Sequence, residues 1–274
     1  YSEDYLNAYI GYQVITAAIV FMVAVFIAVT LRFYARRLQS VPWGWDDGFI
    51  VLGAVFEYAL ISVCLIDVYA GGVGHHRVVV EPHPEKIVIT EKMYILTPIF
   101  ALAAAAMPKL SIICLYLRIF SRGTHKLQRT ICWVTVGIVV AHWIACTIAA
   151  LIACIPLKHL WTDRAPGDSR KCIDFNAYYR WQAIGGILTD LIMMVLPIPV
   201  VRNMSASKSV KISLAVTFAF GSLGLVATIA RFVGFFTNDA ETDTSYTATI
   251  LLVLTIIEPG MYIISACLLG MKPL

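Results

Sequence analysis

The sequence predicts an all-α membrane protein, built as a bundle of seven transmembrane helices. Of its 274 residues 59% are hydrophobic and 14% are charged, and the mean hydropathy is +0.79. Soluble domains carry about 25% charged residues, so a soluble chain of this composition could not cover its apolar surface. Seven apolar runs of membrane-spanning length, and an uneven distribution of Lys and Arg between them, complete the prediction.

Each predicted span is a mostly apolar run of about 20 residues, which is the length a helix needs to cross a bilayer. No connecting segment has the length or composition of a second domain, so we expect one domain over residues 1–274. We also expect tails beyond both ends, since the chain starts at Tyr1 and stops just after an apolar run. The spans lie near 12–31, 48–70, 94–117, 131–155, 181–201, 212–236 and 246–271.

Lys and Arg residues predict the orientation, because cytoplasmic loops carry an excess of them. One side of the predicted bundle has eleven of the 21 basic residues, and its only acids are Asp46 and Asp47. On the other side, eight basic residues are outnumbered by acids. We therefore expect GPCR-like topology in the plasma membrane, with the amino terminus outside and the carboxyl terminus in the cytoplasm.

The second and third spans carry charged residues at the start of the span or within it. "WGWDD" at 43–47 opens the second span, where the helix dipole favours the negative charge of Asp46 and Asp47. The two acids either only cap the helix or also contact the basic ends of the first and third helices. Glu57 lies mid-span in the second helix, and Lys109 follows Pro108 in the third. Pro108 predicts either a hinge or a fixed bend.

The last four spans each place one ionisable residue in the membrane. His142, Asp190 and Glu258 lie near the middle of the fourth, fifth and seventh spans, and Arg231 lies farther out in the sixth. Prolines follow at the inner end of the fifth span and directly after Glu258. Together with the earlier two, these residues form a predicted polar core of Glu57, Lys109, His142, Asp190, Arg231 and Glu258.

Charged groups at this depth usually face the bundle interior and pair with one another. Lys109 and Asp190 lie ~6 Å apart in depth by the helical rise, so we predict that they form an ion pair. Glu57 is the second candidate partner for Lys109. The sequence leaves open whether the polar core is purely structural, binds a ligand, responds to protons or supplies a catalytic acid.

Two of the seven cysteines differ from the rest in position. Cys154 lies at the outer end of the fourth span and Cys172 lies in the loop that follows, so we predict a disulfide between them, with two free thiols as the alternative. No cysteine spacing predicts a metal site. The outer histidines, His75, His76 and His83, are interpreted as part of a polar loop.

Short motifs occur in order along nearly the whole chain: "RFYARR", "WDD", "GGVGHH", "KLSIICLYLRIF", "CIPLKHLW", "TDLIMMVLPIP" and "CLLGMKPL". In this order they resemble the fungal rhodopsin-domain family of integral membrane proteins, whose members include receptor-like proteins linked to pathogenicity. The resemblance implies a GPCR-like bundle. It marks Asp46, Asp47, Gly72, Gly74, His75, Lys109, Arg118, Cys154, Trp161, Cys172, Asp190, Pro197, Pro199, Arg231 and Glu258.

The residues argue against a retinal pigment. Retinal needs a lysine for its Schiff base, commonly on the seventh helix, and residues 246–271 contain none. Lys109 is the only lysine inside a span, and it lies on the third helix toward the cytoplasm. We therefore expect no cofactor, and no nucleic-acid partner.

Two functions remain open. The first is a receptor-like protein that senses an extracellular small molecule or surface cue and signals to a cytoplasmic partner. Its coupling residues would be Asp46, Asp47, Arg118, Pro197 and Pro199. The alternative is an integral-membrane enzyme of fungal specialised metabolism, such as an isoprenoid cyclase or isomerase. Glu57 or Glu258 would then supply a buried carboxylic acid, kept neutral by its apolar surroundings.

The predicted orientation can be tested at Asn203, which heads the only N-x-S/T sequon in the chain. The sequon lies on the predicted cytoplasmic side, so we expect it to carry no glycan. The measurement is the mass of the expressed protein before and after glycosidase treatment. A shift that disappears in Asn203→Gln would reverse the orientation.

Overall fold

Helices make up most of the structure. A computed structural model describes residues 3–40, 42–119, 126–157, 159–162, 172–196, 208–237 and 244–271. Within these ranges seven helices have 21 to 36 residues, and each overlaps one of the predicted spans. They are α1 (Tyr12–Leu38), α2 (Trp45–Ile66), α3 (Pro84–Ile119), α4 (Lys126–Leu151), α5 (Phe175–Val195), α6 (Lys208–Thr237) and α7 (Thr244–Gly270).

Three short helices and a π-helical turn lie between or before the long ones. In the described ranges the short helices are Glu3–Asn7, Arg77–Val80 and His159–Thr162, and the turn Asp67–Gly71 extends α2. The predicted Pro197, Pro199 and Asn203 lie outside the described residues.

Six of the seven long helices are long and apolar enough to cross a membrane, which supports a bilayer environment. The exception is α5, which has the length but whose apolar sequence is interrupted by Arg180, Gln182 and Asp190. Its start is well defined, because the Asp174 side chain accepts hydrogen bonds from the backbone N–H groups of Asn176 and Ala177, at 2.9 and 3.2 Å.

The central helix of the bundle is α3, which packs against α2, α4 and α7. Its small-residue stretch 101–106 is largely buried and lets neighbouring helices approach closely. The helix begins at Pro84, ten residues before the predicted span. The prediction started too late because the first turns of the helix are polar and an apolar run does not include them. It continues through Pro98 and Pro108, so the prolines do not break it.

Exposed aromatic residues lie near both ends of the long helices. Trp43 and Trp45 precede or open α2, at 79% and 83% exposure, and Tyr69 lies at its far end, at 71%. Trp45 and Tyr69 are ~36 Å apart by the helical rise, slightly more than the ~30 Å hydrocarbon core. Trp and Tyr side chains are enriched at both surfaces of a membrane, so these exposed aromatic residues are typical of a membrane-spanning helix.

An ion cluster formed by Arg32, Arg36, Asp46 and Asp47 joins α1 to the start of α2. We call it the inner ion cluster, because it lies at the end of the bundle that the sequence predicts to be cytoplasmic. Arg32 reaches Asp46 at 2.6 Å and Asp47 at 3.0 Å, and Arg36 binds both carboxylates. All four side chains are buried. The Asp47 carboxylate also accepts from the backbone N–H of Gly44 at 3.2 Å, so Asp47 both caps the helix and binds α1, while Asp46 binds α1.

The inner ion cluster also reaches the two helices packed beside it. Arg32 donates to the backbone carbonyl of Ala266 in α7 at 2.7 Å. Ser111 of α3 donates to the backbone carbonyl of Asp46 at 2.8 Å. The predicted contact with the basic end of the first helix is thus present. In the third helix a hydroxyl group makes the contact, while Arg118 is exposed in its last turn.

At the opposite end, the loop after α2 pairs with the amino-terminal segment and with α7. Ile10 donates to the Gly74 carbonyl at 3.0 Å, and the Gly74 N–H donates to Ser245 at 3.2 Å. Gly74 has a φ of 104°, which favours glycine. The His76 ring stacks between Tyr5 and Tyr246, with ring centroids 3.7 and 4.2 Å away.

The predicted disulfide between Cys154 and Cys172 is confirmed, with an S–S distance of 2.07 Å. It pins the end of α4 to the segment just before α5, and the Ile173 N–H donates to the Ala153 carbonyl at 2.8 Å beside it. The five other cysteines are free thiols. In the loop after α2, desolvation lowers the pKa of the partly buried His75, and Lys86 and His76 lower it further.

Gly270 provides a test of the inner ion cluster. A Cβ at this position in α7 would overlap the Arg32 guanidinium, whereas a Cβ at Gly137 in α4 would meet nothing within 4 Å. We expect Gly270→Ala to displace Arg32 and lower the melting temperature by roughly 5 °C. Gly137→Ala is the control and should leave it unchanged or slightly higher, because Ala favours helix. Equal melting temperatures for the two variants would show that the cluster does not hold the inner end together.

Candidate ligand site in the bundle core

The predicted pair of Lys109 and Asp190 is present, with Nζ 2.7 Å from Oδ1. Lys109 also donates to the Thr189 hydroxyl at 3.1 Å. The second Asp190 oxygen accepts from the Tyr262 hydroxyl at 2.6 Å, and the Lys109 ammonium lies 5.0 Å from the centre of the Tyr262 ring. One buried lysine therefore connects α3, α5 and α7.

A second buried ion pair connects α6 and α7. Arg231 Nη2 lies 2.7 Å from Glu258 Oε2, and Nη1 reaches the Thr255 hydroxyl at 3.5 Å. The sequence placed both residues in the polar core but assigned neither a partner. Because the long Arg231 side chain spans the difference in depth between them, the two can meet.

The remaining two predicted core residues do not form ion pairs. The His142 ring hydrogen-bonds the backbone carbonyl of Gln182 at 3.2 Å and fits against Gly185, where a Cβ would overlap it. Glu57 is 0% exposed, and neither carboxyl oxygen has a hydrogen-bond partner among the described residues. The partner of Lys109 is therefore Asp190. Glu57, the second candidate, has no ion-pair partner among the described residues, and its charged neighbour is another acid, Glu258.

A cavity of about 30 Å³ lies between α3, α4, α5, α6 and α7, and we call it the central cavity. It has room for one or two water-sized groups, whereas drug-sized ligands fill pockets of about 300–1,000 Å³. Alanine, leucine and valine side chains from α3 and α4 form part of its wall. Its polar wall consists of Lys109, His142, Gln182, Thr189, Arg231 and Glu258.

The structure therefore brings four of the six predicted core residues to one cavity and places Asp190 directly behind Lys109. Glu57 is not part of the wall. Sequence reasoning missed Gln182, Thr189 and Tyr262, because a glutamine, a threonine and a tyrosine within a helix carry no depth signal as strong as a charge. No group of three or more His, Cys, Asp and Glu side chains in the described ranges is placed to hold a metal ion.

An aromatic cluster closes the central cavity on the side of the disulfide. The Tyr179 hydroxyl donates to the Tyr94 carbonyl at 2.8 Å, and its ring stacks on Phe235 with centroids 5.0 Å apart. The Tyr178 hydroxyl donates to the Cys146 carbonyl at 3.0 Å. On α4, α5 and α6 these residues lie about one turn beyond the cavity wall. We call Tyr94, Phe175, Tyr178, Tyr179 and Phe235 the outer aromatic cluster.

Comparison with known proteins places the chain among fungal membrane proteins. The model of the "Fungal rhodopsin domain" family matches residues 31–274. The "Polyenoic acids biosynthesis gene cluster protein Ba17b" of Metarhizium anisopliae is 33% identical, over 97% of this chain and 74% of its own length. No solved structure matches the chain.

Two further relatives are more distant. A "SAT4 family membrane protein" of Emericella nidulans is 27% identical, over 69% of this chain and 45% of its own length. The "Phomoidride biosynthesis cluster protein H" of a fungal species is 24% identical, over 94% of this chain and 86% of its own.

The Lys109–Asp190 pair predicts non-additive losses of stability. Lys109→Met leaves a buried carboxylate unpaired, and Asp190→Leu leaves a buried ammonium unpaired, so each should cost ~3–5 kcal/mol and lower the folded yield. The double variant removes both charges and should recover part of the loss. The readout is the folded yield and melting temperature of the three variants in detergent.

The control is Glu85→Gln, which removes a carboxylate that lies 3.4 Å from His83 at the exposed start of α3. An exposed pair contributes little, so its loss should be under ~1 kcal/mol. Losses of the two core variants that simply add in the double variant would mean that Lys109 and Asp190 do not depend on each other.

Proposed function

Because the chain belongs to the fungal rhodopsin domain family of membrane proteins, we propose that it is a receptor-like protein that senses a small molecule. In this proposal the ligand binds at the central cavity and the signal passes to a cytoplasmic partner. The observation that carries the proposal is the position of the two buried ion pairs. Lys109 and Arg231 both stand in the cavity wall and at the same time hold four helices together.

A ligand in the cavity would compete with Asp190 and Glu258 for the N–H groups of Lys109 and Arg231. Ligands shift a conformational equilibrium only through contacts that differ between the two states. The ion pairs supply such a contact, since breaking either one changes how α7 is bound to α5 or α6. A purely structural polar core would not need a cavity beside its charges.

One helix links the cavity to the inner end of the bundle. In α7, Glu258 and Tyr262 contact the core ion pairs, and the carbonyl of Ala266, one turn farther on, accepts from Arg32. A shift of α7 at Tyr262 would therefore reach the inner ion cluster through a rigid helix. The exposed Arg118 lies at the same end of the bundle and is the proposed contact for the partner.

We further propose one domain over residues 1–274, seven spans, an outside amino terminus and a plasma-membrane location. Support for the seventh span comes from α5, whose 21 residues are long enough and whose Trp181, Leu188, Leu191 and Val195 are exposed apolar side chains. Support for the orientation comes from the excess of basic residues near Arg118 and from the disulfide at the opposite end.

An integral-membrane enzyme, such as an isoprenoid cyclase or isomerase, is the second candidate. Two relatives are named as biosynthesis cluster proteins, and Glu57 is a buried carboxyl group with no hydrogen-bond partner in the part of the chain that the structure describes. A general acid must contact its substrate, however, and Glu57 is not in the cavity wall. Glu258 is in the wall, but its carboxylate is bound by Arg231 in an ion pair. These contacts favour the receptor proposal.

Arg118 tests the proposed signalling role. A labelling enzyme fused to the carboxyl terminus would report which cytoplasmic proteins lie near the bundle. We expect Arg118→Ala to lose most labelling of at least one protein while its surface level stays constant, because the variant removes the proposed contact. Lys126→Ala, at the exposed start of α4, is the control and should label as the unmodified protein does.

Identical labelling by Arg118→Ala and the unmodified protein would contradict the receptor proposal. Glu57→Gln distinguishes the alternative, since it removes an acid but keeps its shape. If the protein is an enzyme, membranes with the unmodified protein should convert an isoprenoid precursor, and membranes with this variant should not. If the protein is a receptor, neither the unmodified protein nor the variant should convert the precursor.

A further inference from the structure

The cationic side chains of the central cavity wall offer hydrogen-bond donors to an acidic group. Lys109 and Arg231 both line the cavity, and each is neutralised by a carboxylate, Asp190 and Glu258. All four side chains are buried. In such surroundings, hydrogen bonds with charged partners are stronger than in water. The wall therefore offers an occupant N–H donors on charged groups, without an excess of positive charge.

Two buried polar atoms of wall residues have no hydrogen-bond partner among the described residues. They are Nε of Arg231 and Oε1 of Gln182, and Gln182 is only 4% exposed. Arg231 Nε is a donor. The Gln182 amide can present either an acceptor or a donor by turning over. A carboxyl group complements both, since one of its oxygens can accept from Arg231 while the other meets the Gln182 amide.

The size of the cavity fits a head group and excludes a whole ligand. About 30 Å³ accommodates one or two water-sized groups, such as the two oxygens of a carboxyl group. The remainder of the ligand must leave the cavity. The outer aromatic cluster blocks the direction toward the disulfide, through the stacked rings of Tyr179 and Phe235.

The gap between α4 and α5 is the least buried direction. His142, Trp143 and Gly186 line the cavity and are only half-buried, and the His142 ring fills the space beside Gly185, so a chain leaving here displaces that ring. Ile144 is exposed on the membrane face of α4 next to this gap. An apolar chain leaving the cavity here would pass directly into hydrocarbon.

We propose that the central cavity recognises the carboxyl group of a lipophilic acid, whose apolar chain enters from the membrane between α4 and α5. This inference rests on the proposed function, because it assumes that the cavity binds a small molecule. It adds the chemical class of the ligand and a lateral route of entry.

The test uses the full chain in phosphatidylcholine nanodiscs and a photoreactive linolenic acid with a diazirine near the end of its chain. Linolenic acid should compete for crosslinking about tenfold or more better than its methyl ester or linolenyl alcohol, since these cannot offer a charged partner. The crosslinked peptides should map to α4 or α5. Equal competition by the three compounds, or crosslinks in the outer loops, would overturn the proposal.

Two variants change the cavity without removing an ion pair. Gln182→Met deletes the amide, and Gly186→Ala adds a methyl group whose contact with Thr228, at 3.7 Å, is ordinary. Each should weaken acid binding about tenfold. Gly137→Ala, which meets nothing, should bind as the unmodified protein does. If Gln182→Met lowers the melting temperature, Gly186→Ala decides, and unchanged acid binding in that variant overturns the proposal.

The outcomes separate this inference from the receptor role. Loss of acid specificity with a continued effect of Arg118→Ala on cytoplasmic labelling would show that only the ligand class is wrong. Cavity-dependent acid binding without any effect of Arg118→Ala would show that the acid site exists but that the signalling role does not.

Discussion

The bundle depends on one constraint, which is that a buried charge in hydrocarbon needs a partner from another helix. An unpaired cation there costs several kcal/mol, so each pair fixes which helices are neighbours. Lys109 and Asp190 join α3 to α5, Arg231 and Glu258 join α6 to α7, and Arg32 joins α1 to α2. Glu57 is the exception that chemistry permits, because a carboxyl group can be neutral and a guanidinium cannot.

The two charged regions differ in how many cations each carboxylate binds. In the inner ion cluster the carboxylates of Asp46 and Asp47 each bind two guanidinium groups. In the core, Asp190 binds Lys109 and Glu258 binds Arg231, so each carboxylate has one cation. Both regions contain one buried arginine Nε, of Arg36 or of Arg231, with no partner among the described residues. The inner ion cluster is therefore the more densely cross-linked of the two regions.

Depth in the membrane was readable from the sequence, and rotation about each helix was not. Apolar runs gave the positions of all seven helices, and counting residues from mid-span paired Lys109 with Asp190. The same counting could not pair Arg231 with Glu258, since the long arginine side chain crosses the difference in depth. Tyr262 and Gln182 gave no signal, because common polar residues become functional only through the direction they face. Hydropathy also missed the first ten residues of α3, which are helical and polar.

The disulfide between Cys154 and Cys172 gives the gap between α4 and α5 a fixed pivot. His142 lies nine residues before the end of α4 at Leu151, or ~14 Å by the helical rise, and Cys154 follows three residues after that end. A rigid rod held at one end moves more the farther a point lies from the hold. If α4 swings away from α5, the opening is therefore narrowest beside the bridge and widens toward the start of α4 at Lys126. Such a motion would pivot at the bridge, and the bilayer half away from the bridge would then have the easier passage to the core.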